Sequence, residues 1–523
     1  MNQRKLQLLL RNCGELESLK KIHARAVISG LLRAHQSVAS KLLSRYAEFG
    51  GTRDARKVFD EIPSPDIVSF TSLIHLYLQD QLPGRAFLVF SQLVHCGLPP
   101  DSFSAVGALS ACGRGGNLIG GRIVHGMILR FQLMGSEPIL GNALVDMYCR
   151  NERIRAAKLV FKHMIAVKDL SSWTSLLNGL VMNNKLASAR RVLNKMPSRN
   201  DVAWNSMITG YIQHKMPVQG LIMFKRMKAA GDCPLTAVTF VAALSGSADI
   251  GSIYQTQAIH CCIRKSSSDS SVTISNALID SYSKGGCPDC ARKIFDYIRN
   301  RDVYSWTSMI SGYAFHSQGT EALAVFRYML ESGAIPNTVT FLSVLTACSH
   351  GGLLVEAQKV FYEMIHTHHL YPRIEHYGCI VDLLGRVGRI EEAVEFVNKM
   401  PITPDAVIWR SLLSASLVNG NLGVAEMAGQ KAIELQPDDD GVYAMLHNVY
   451  WAAGRSGDAL KVRKMASQKV CKKPAFTWVE INGIAHGFLA EHAASIRHWP
   501  VEVQSVVRQD TWQLNDEFSL FLT

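Results

Sequence analysis

The chain has 523 residues, 48% apolar and 19% charged, with a formal net charge of +12. That is long enough for several domains or one long array, and no apolar run reaches the roughly 18 residues needed to cross a bilayer. The positive balance favours a polyanionic partner or serves solubility alone, and 12 scattered cysteines without framework spacing point to a reducing compartment.

Residues 1–11, MNQRKLQLLLR, are basic and lack acids, the character of an organelle presequence. No cleavable secretory signal is visible, and the stretch runs straight into the first helical pattern, so a transit peptide is not evident in this chain. Beyond it the sequence repeats itself. SFTSLI at 69–74, SWTSLL at 172–177, AWNSMI at 203–208 and SWTSMI at 305–310 are versions of one string. GNALVDMY at 141–148 and SNALIDSY at 275–282 form a second set, with SKLLSRY at 40–46 close to it. VGALSACG at 106–113 and LSVLTACS at 342–349 form a third.

One unit, 303–337, displays the design. Trp306, Met309, Ile310 and Tyr313 fall at helical spacing, residues 317–319 make a turn, and Ala322, Leu323, Val325, Phe326 and Met329 repeat the spacing. Gly333 stops the second helix, with Pro336 beyond. A hairpin this short cannot bury both apolar faces alone and needs neighbours of its own kind. Counting gives 12 such units, at about 3–35, 36–66, 67–101, 102–137, 138–169, 170–200, 201–236, 237–271, 272–302, 303–337, 338–373 and 374–405. They come in three lengths, and most fall into triplets of about 102 residues. From the fifth residue of a unit, 19 residues onward lies a large apolar side chain: Ser40 leads to Phe59, Thr71 to Phe90, Asn142 to Phe161, Thr174 to Leu193, Asn205 to Phe224, Asn276 to Phe295 and Thr307 to Phe326. Such a residue is expected to be a knob from the second helix into the next hairpin.

After 405 the pattern changes but stays helical, with further helix pairs at 406–439 and 440–473. The acidic run at 438–440 between them reads as a solvated turn and helix cap. From Phe476 the text FTWVEINGIAHGFL alternates with period two around Asn482-Gly483, the signature of a β-hairpin. The tail after Ala493 follows no clear pattern. The fold expected is all-α, a right-handed superhelical solenoid of helix-turn-helix repeats, with a small β-hairpin near the C-terminus.

WTSMISGY at 306–313, NALIDSY at 276–282, VLTACSHGGLLVEA at 344–357 and HYGCIVDLLGRVGRIEEA at 376–393 carry a resemblance. With them the chain resembles the pentatricopeptide repeat family, in its plant subfamily of alternating P, L and S motifs. The stretch from Ala406-Val407-Ile408-Trp409 to Lys473, with Trp478-Val479-Glu480-Ile481-Asn482-Gly483, is similar to that subfamily's C-terminal extension (E) motifs. The resemblance divides the chain into a repeat array to 405, two E-type motifs at 406–473 and a partial extension at 474–523. It implies a nuclear-encoded protein of the mitochondrion, or alternatively the chloroplast. Such a protein binds single-stranded organelle RNA and specifies which cytidine is edited to uridine. Many members end in a DYW cytidine-deaminase domain, and this chain stops short of one.

No enzyme site is legible. A zinc deaminase needs an H-x-E motif and a P-C-x-x-C pair, and none of the 18 histidines is followed two residues later by Glu. The lone C-x-x-C, Cys287-Pro288-Asp289-Cys290, sits where packing residues are expected and has no second pair to complete a metal site. His366-Thr367-His368-His369 reads as a polar loop between repeats. No cofactor, membrane or small-molecule substrate is expected.

The resemblance also assigns base-reading residues. Repeats of this kind read one base each with two or three side chains. In the family the pair is the fifth and last residue of each P or S unit: here Ser40/Asp66, Thr71/Asp101, Asn142/Asp169, Thr174/Asn200, Asn205/Thr236, Asn276/Asp302 and Thr307/Asn337. An ionised Asp only accepts, which suits the imino N–H of U or G, whereas Asn both donates and accepts, which suits A or C. In the family Thr or Ser at the fifth place goes with purines and Asn with pyrimidines. The expected target, 5′ to 3′, is G-G-x-U-A-Y-x-U-A, with x at the L units whose fifth residues are Val106 and Val241. The last S unit, with Gly378 and Asp405, reads poorly. The plainer reading of these polar residues is helix capping. Trp173, Trp204 and Trp306 fall on the buried face, where core packing is expected. Arg56, Lys57, Arg292 and Lys293 are candidates for phosphate contact or for a solvated outer face.

Two other functions compete. A tetratricopeptide-like protein scaffold would show a fixed 34-residue period and a W-x-x-L-G-x-x-Y start, and neither occurs. RNA binding for stability, splicing or translation is disfavoured by the E-like region alone. The E region is where a deaminase, or an editing accessory protein, would be recruited in trans.

Overall fold

The computed structural model describes residues 8–10, 13–30, 36–49, 51–134, 138–164, 168–266, 271–469, 476–481 and 484–489. Most of the presequence-like stretch, the Asn482-Gly483 turn and the tail from 490 onward lie outside the described residues. The chain forms two compact units, one of residues 1–214 with 226–234 and one of 215–225 with 235–523.

In the first unit helix pairs follow one another, from Gln36–Glu48 with Thr52–Asp60 to Leu170–Met182 with Leu186–Lys195, before Asp201–Gln213. In the second they run from Ala237–Ile250 with Ile253–Lys265 to Asp440–Ala452 with Ser456–Lys469. The helix Pro217–Ala230 spans the division. The strands Phe476–Ile481 and Ile484–Leu489 pair antiparallel, with Phe476 opposite Leu489 and Ile481 opposite Ile484. The expected all-α solenoid and its small hairpin are both present.

The helices are short because each is punctuated. Inside a hairpin the turn needs one left-handed residue, supplied at Glu152, Asn184, Ser317 and Gly286. Glycine takes that conformation freely and Asn at small cost. At most junctions between hairpins an Asp, Asn or Thr side chain starts the next first helix.

Within each unit the first helices of successive hairpins touch directly, as Ile139–Arg150 touches Leu170–Met182 and Val303–Phe315 touches Thr338–Gly351. Second helices such as Ile154–His163 and Gly319–Glu331 pack instead on the first helix of their own hairpin and on that of the next. The first helices therefore form the close-packed inner layer of each stack, and the second helices the outer one. Three glycines permit the close approach. A Cβ added at Gly179, Gly210 or Gly312 would collide with Cys149, Val181 or Ser283, respectively, on the preceding first helix.

The knobs fall where the register places them. Phe59, Phe90, Phe161, Leu193, Phe224, Phe295 and Phe326 are all buried. Phe161 meets Trp173 edge to face at 4.9 Å, and Phe295 meets Trp306 at 5.1 Å, each on the next first helix. Edge-to-face aromatic pairs add about 0.5–1.5 kcal/mol to the burial itself. Trp204 and Trp306 are buried and Trp173 is half-buried, so these rings serve the core.

The cysteines hold one departure. Cys287 and Cys290 are paired as a disulfide, where the sequence points to packing positions and a reducing compartment. The turn before the helix Pro288–Tyr297 brings their Cα atoms to 5.4 Å, inside the range a disulfide needs. Among the described residues no group of His, Cys, Asp or Glu could hold a metal ion.

Candidate nucleic-acid interface

Most first helices open on a residue whose side chain caps them, whereas Ile139–Arg150 and Val272–Lys284 follow Pro138 and Ser271 without a side-chain cap bond. Asp66 accepts from the backbone N–H of Ser69 at 2.9 Å, Asp101 from Ser104 at 2.8 Å, Asp169 from Ser172 at 2.7 Å and Asn200 from Ala203 at 3.0 Å. Thr236 accepts from Thr239, Asp302 from Ser305 at 2.7 Å, and Asn337 from Thr340 at 2.9 Å. All seven candidate last-position residues are thus N-caps. Capping is their local reason to exist, and it employs only part of each side chain. Asp405 caps Ala406–Asn419 in the same way.

The fifth-position residues stand one turn into the first helices, at the seam with the next first helix. Asn276 donates through Nδ2 to Asp302 Oδ1 at 3.1 Å, and Ser40 donates to both carboxylate oxygens of Asp66 at 3.4 Å. The Asn142 amide also supports the Asp169 carboxylate. These three pairs, 26 or 27 residues apart in sequence, are brought together side chain to side chain. The threonine pairs are not directly bonded. Thr71, Thr174 and Thr307 each donate at 2.8 Å to the carbonyl four residues back, Ile67, Leu170 and Val303. With its proton committed, the threonine oxygen faces the seam as an acceptor. Thr307 and Asn337 converge on the same hydroxyl, that of Thr340, at 2.9 and 3.1 Å. Asn205 and Thr236 belong to different units. Val106 and Val241 occupy the equivalent sites of their helices as half-buried side chains, and Gly378 leaves open space.

The electrostatics keep the acids charged. Burial alone would raise the Asp169 carboxyl, but hydrogen bonds from the Ser172 hydroxyl, the Ser172 backbone and the Asn142 amide outweigh it and hold it below the usual range. Asp302 is lowered likewise: burial raises it, and the Ser305 backbone and hydroxyl, the Asn276 amide and the Tyr304 backbone more than offset that. Both acids therefore remain acceptor-only. Asn142 Oδ1 and Asn276 Oδ1 are buried with no hydrogen-bond partner in the protein. A buried polar atom left unpaired costs about 1–3 kcal/mol.

Sequence reasoning missed one element of this surface. Three residues before six of the fifth positions stands an exposed apolar side chain: Val68, Phe103, Ile139, Val202, Val238 and Tyr304. Residues three apart share a helix face, so these side chains flank the polar pairs on the inner layer, and Tyr304 is 74% exposed. The signal in the sequence is an apolar residue recurring three positions before the fifth residue of successive repeats. Ser171 and Thr273 interrupt it.

The four cations singled out for phosphates lie on second helices, in the outer layer. Arg56 and Arg292 are ion-paired to Asp60 and Asp296, four residues on, and Lys57 to Asp54. At the interrepeat loop, His366 ends its helix exposed and His368 packs edge to face on Phe341 at 5.3 Å.

Comparison with known proteins places the chain. The PPR repeat model matches at 68–98, 142–167, 171–201, 202–232, 273–303, 339–366 and 375–401, a PPR repeat family model at 301–350, and an E motif model at 419–480. A pentatricopeptide repeat-containing protein of Arabidopsis thaliana is 33% identical over 513 residues, covering 91% of this chain and 74% of its own length. A mitochondrial one is 32% identical, covering 92% and 72%. A chloroplastic one is 33% identical over 91% of this chain, which spans only 54% of that relative. The crystal structure of the maize pentatricopeptide repeat protein PPR10 aligns at 17% identity and a TM-score of 0.45, covering 88% of this chain and 78% of its own. That protein has also been solved in complex with an 18-nt RNA element. On the repeat matches and on relatives aligned over most of both chains, this chain belongs to the pentatricopeptide repeat family.

Proposed function

We propose that this chain is a sequence-specific single-stranded RNA-binding protein of a plant organelle, of the P, L and S subfamily, and that it selects sites of C-to-U editing. In this reading residues up to 405 form the reading array, and the E-type region at 406–473 with its partial extension recruits a deaminase in trans. In this reading the catalytic residues come from the recruited deaminase. The chain's repeats bind RNA one base at a time along the inner layer.

The observation that carries the reading is the recurrence, at one seam after another, of a fifth-position side chain beside the cap of the next helix, with an exposed apolar side chain one turn away. The polar pair meets the Watson–Crick edge and the apolar residue supports the base face. The two ends of the pair divide the labour: an ionised Asp demands a donor N–H, and the Thr oxygen or Asn amide separates larger from smaller bases. The expected target remains G-G-x-U-A-Y-x-U-A.

Binding of that RNA, a scrambled RNA and a duplex at one fixed salt concentration tests the first half. Equal affinity for all three would leave only unspecific charge. Editing is tested by depleting the protein in the plant and sequencing organelle transcripts. The expected outcome is the loss of conversion at a cytidine downstream of a match to the target, and unchanged conversion everywhere would end the editing half.

A further inference from the structure

Between 153 and 199 the sequence holds ten Lys and Arg and one acid, Asp169. That acid caps Leu170–Met182 on the inner layer, whereas most of the cations belong to the outer helices Ile154–His163 and Leu186–Lys195 and their approaches. Both outer helices pack on Leu170–Met182, one on each flank. Arg153, Arg155, Lys158, Lys162, Arg191 and Lys195 are all exposed.

The same register elsewhere is neutralised. In Thr52–Asp60 and Pro288–Tyr297 the basic residue three before the knob is ion-paired four residues on, Arg56 with Asp60 and Arg292 with Asp296. In Ile154–His163 the acid's place is taken by Lys162, four residues from Lys158. Like charges four apart on a helix are destabilising. Local stability does not account for Lys162, and a polyanion lying across these faces would.

We propose that the outer faces of Ile154–His163 and Leu186–Lys195 form a second RNA contact, which holds the sugar–phosphate backbone of the transcript outside the segment being read. The proposal rests on the RNA-binding reading above. These hairpins carry the reading pairs Asn142/Asp169 and Thr174/Asn200 on their inner helices, so one pair of repeats would grip the same transcript on both layers. Leu159 is the one large exposed apolar residue on these two helices. That absence of aromatic anchors favours a charge-driven contact over a protein interface or membrane insertion.

The test compares wild type with the exposed quadruple variant Lys158→Gln, Lys162→Gln, Arg191→Gln, Lys195→Gln. Two RNAs are used: the nine-base target alone, and the same target extended on both sides by unstructured sequence. Affinities are measured across a salt series, with the melting temperature as a check on folding. For the extended RNA the variant is expected to lower the slope of log K against log salt by about 2 to 3, since each single-strand phosphate contact contributes about 0.7. For the short target the two proteins should behave alike. The proposal is overturned if extension adds no affinity in wild type, or if the added affinity survives in the variant. Failure of the short target to bind sequence-specifically would instead count against the base-reading assignment. A four-arginine variant at the same positions should restore the slope, and loss of the slope there would also count against the charge mechanism.

Discussion

His125 Nδ1 and the Tyr148 hydroxyl lie 2.9 Å apart, joining an outer helix to the first helix of the next hairpin. The pair recurs as His23 with Tyr46 and His260 with Tyr282, each at 3.0 Å, and in all three the rings meet edge to face. Burial pushes His23 and His125 below the usual histidine value and Tyr46 and Tyr148 above the usual tyrosine value. A neutral imidazole nitrogen can then accept a hydrogen bond from the phenol O–H.

A pH dependence follows. A histidine lowered in the folded state leaves the unfolded chain holding more protons, so stability rises with pH through the window between the two values. The contribution is complete above the ordinary histidine value of about 6.5 and declines as pH falls below it. Glu61 and Asp54 favour protonation at His23 and Lys57 opposes it. The melting temperature should fall between pH 7.5 and 5.5, and the double variant His23→Gln, His125→Gln should flatten that fall. An unchanged slope would remove these histidines from the account.

Capping and reading can be separated at Asp302. Asp302→Asn keeps a capping oxygen, so the melting temperature should hardly move, while the preference at that base should pass from U toward C. Asp302→Ala loses both, with about 1 kcal/mol of stability lost. If Asp302→Asn leaves the base preference unchanged in binding titrations, the residue is a cap and nothing more.

Converting one complete pair is a sharper measurement. Thr307→Asn with Asn337→Asp reproduces the arrangement seen at Asn276 and Asp302, and should move one base from A toward U. Each base contact of this kind is worth roughly 1–3 kcal/mol. Competition between RNAs differing at that single base reads the change directly.

Tyr304 tests the apolar row. Because the side chain is exposed, Tyr304→Ala should leave thermal stability within about 0.5 kcal/mol of wild type. Affinity should drop by roughly 1–3 kcal/mol if a base stacks there, with little regard to which base it is. Loss confined to a single sequence would point to hydrogen bonding through the phenol instead.

Much of this was legible in the sequence because a repeated unit announces itself several times over. The knob from Asn276 to Phe295 could be counted, and it is buried against Trp306 as the count required. The pairing of Asn276 with Asp302 was legible only through family likeness, since residues 26 apart meet through the stacking of two hairpins. The capping role of Asp302 was visible as an alternative, but sequence could not reveal that a cap could also accept from Asn276. The row containing Val68 and Tyr304 escaped notice because solitary exposed apolar residues are ordinary on protein surfaces. The Cys287–Cys290 bond escaped because its spacing resembled packing positions and depends on the turn before Pro288.

The glycines at 179, 210 and 312 set how near one inner helix lies to the next, and with it the stride from one seam to its successor. A reader of single bases needs that stride to match what a stretched nucleotide chain can span. On the proposed reading, enlarging Gly312 would lengthen a single step of the ruler, leaving every candidate recognition side chain intact but putting those beyond it out of phase with the strand.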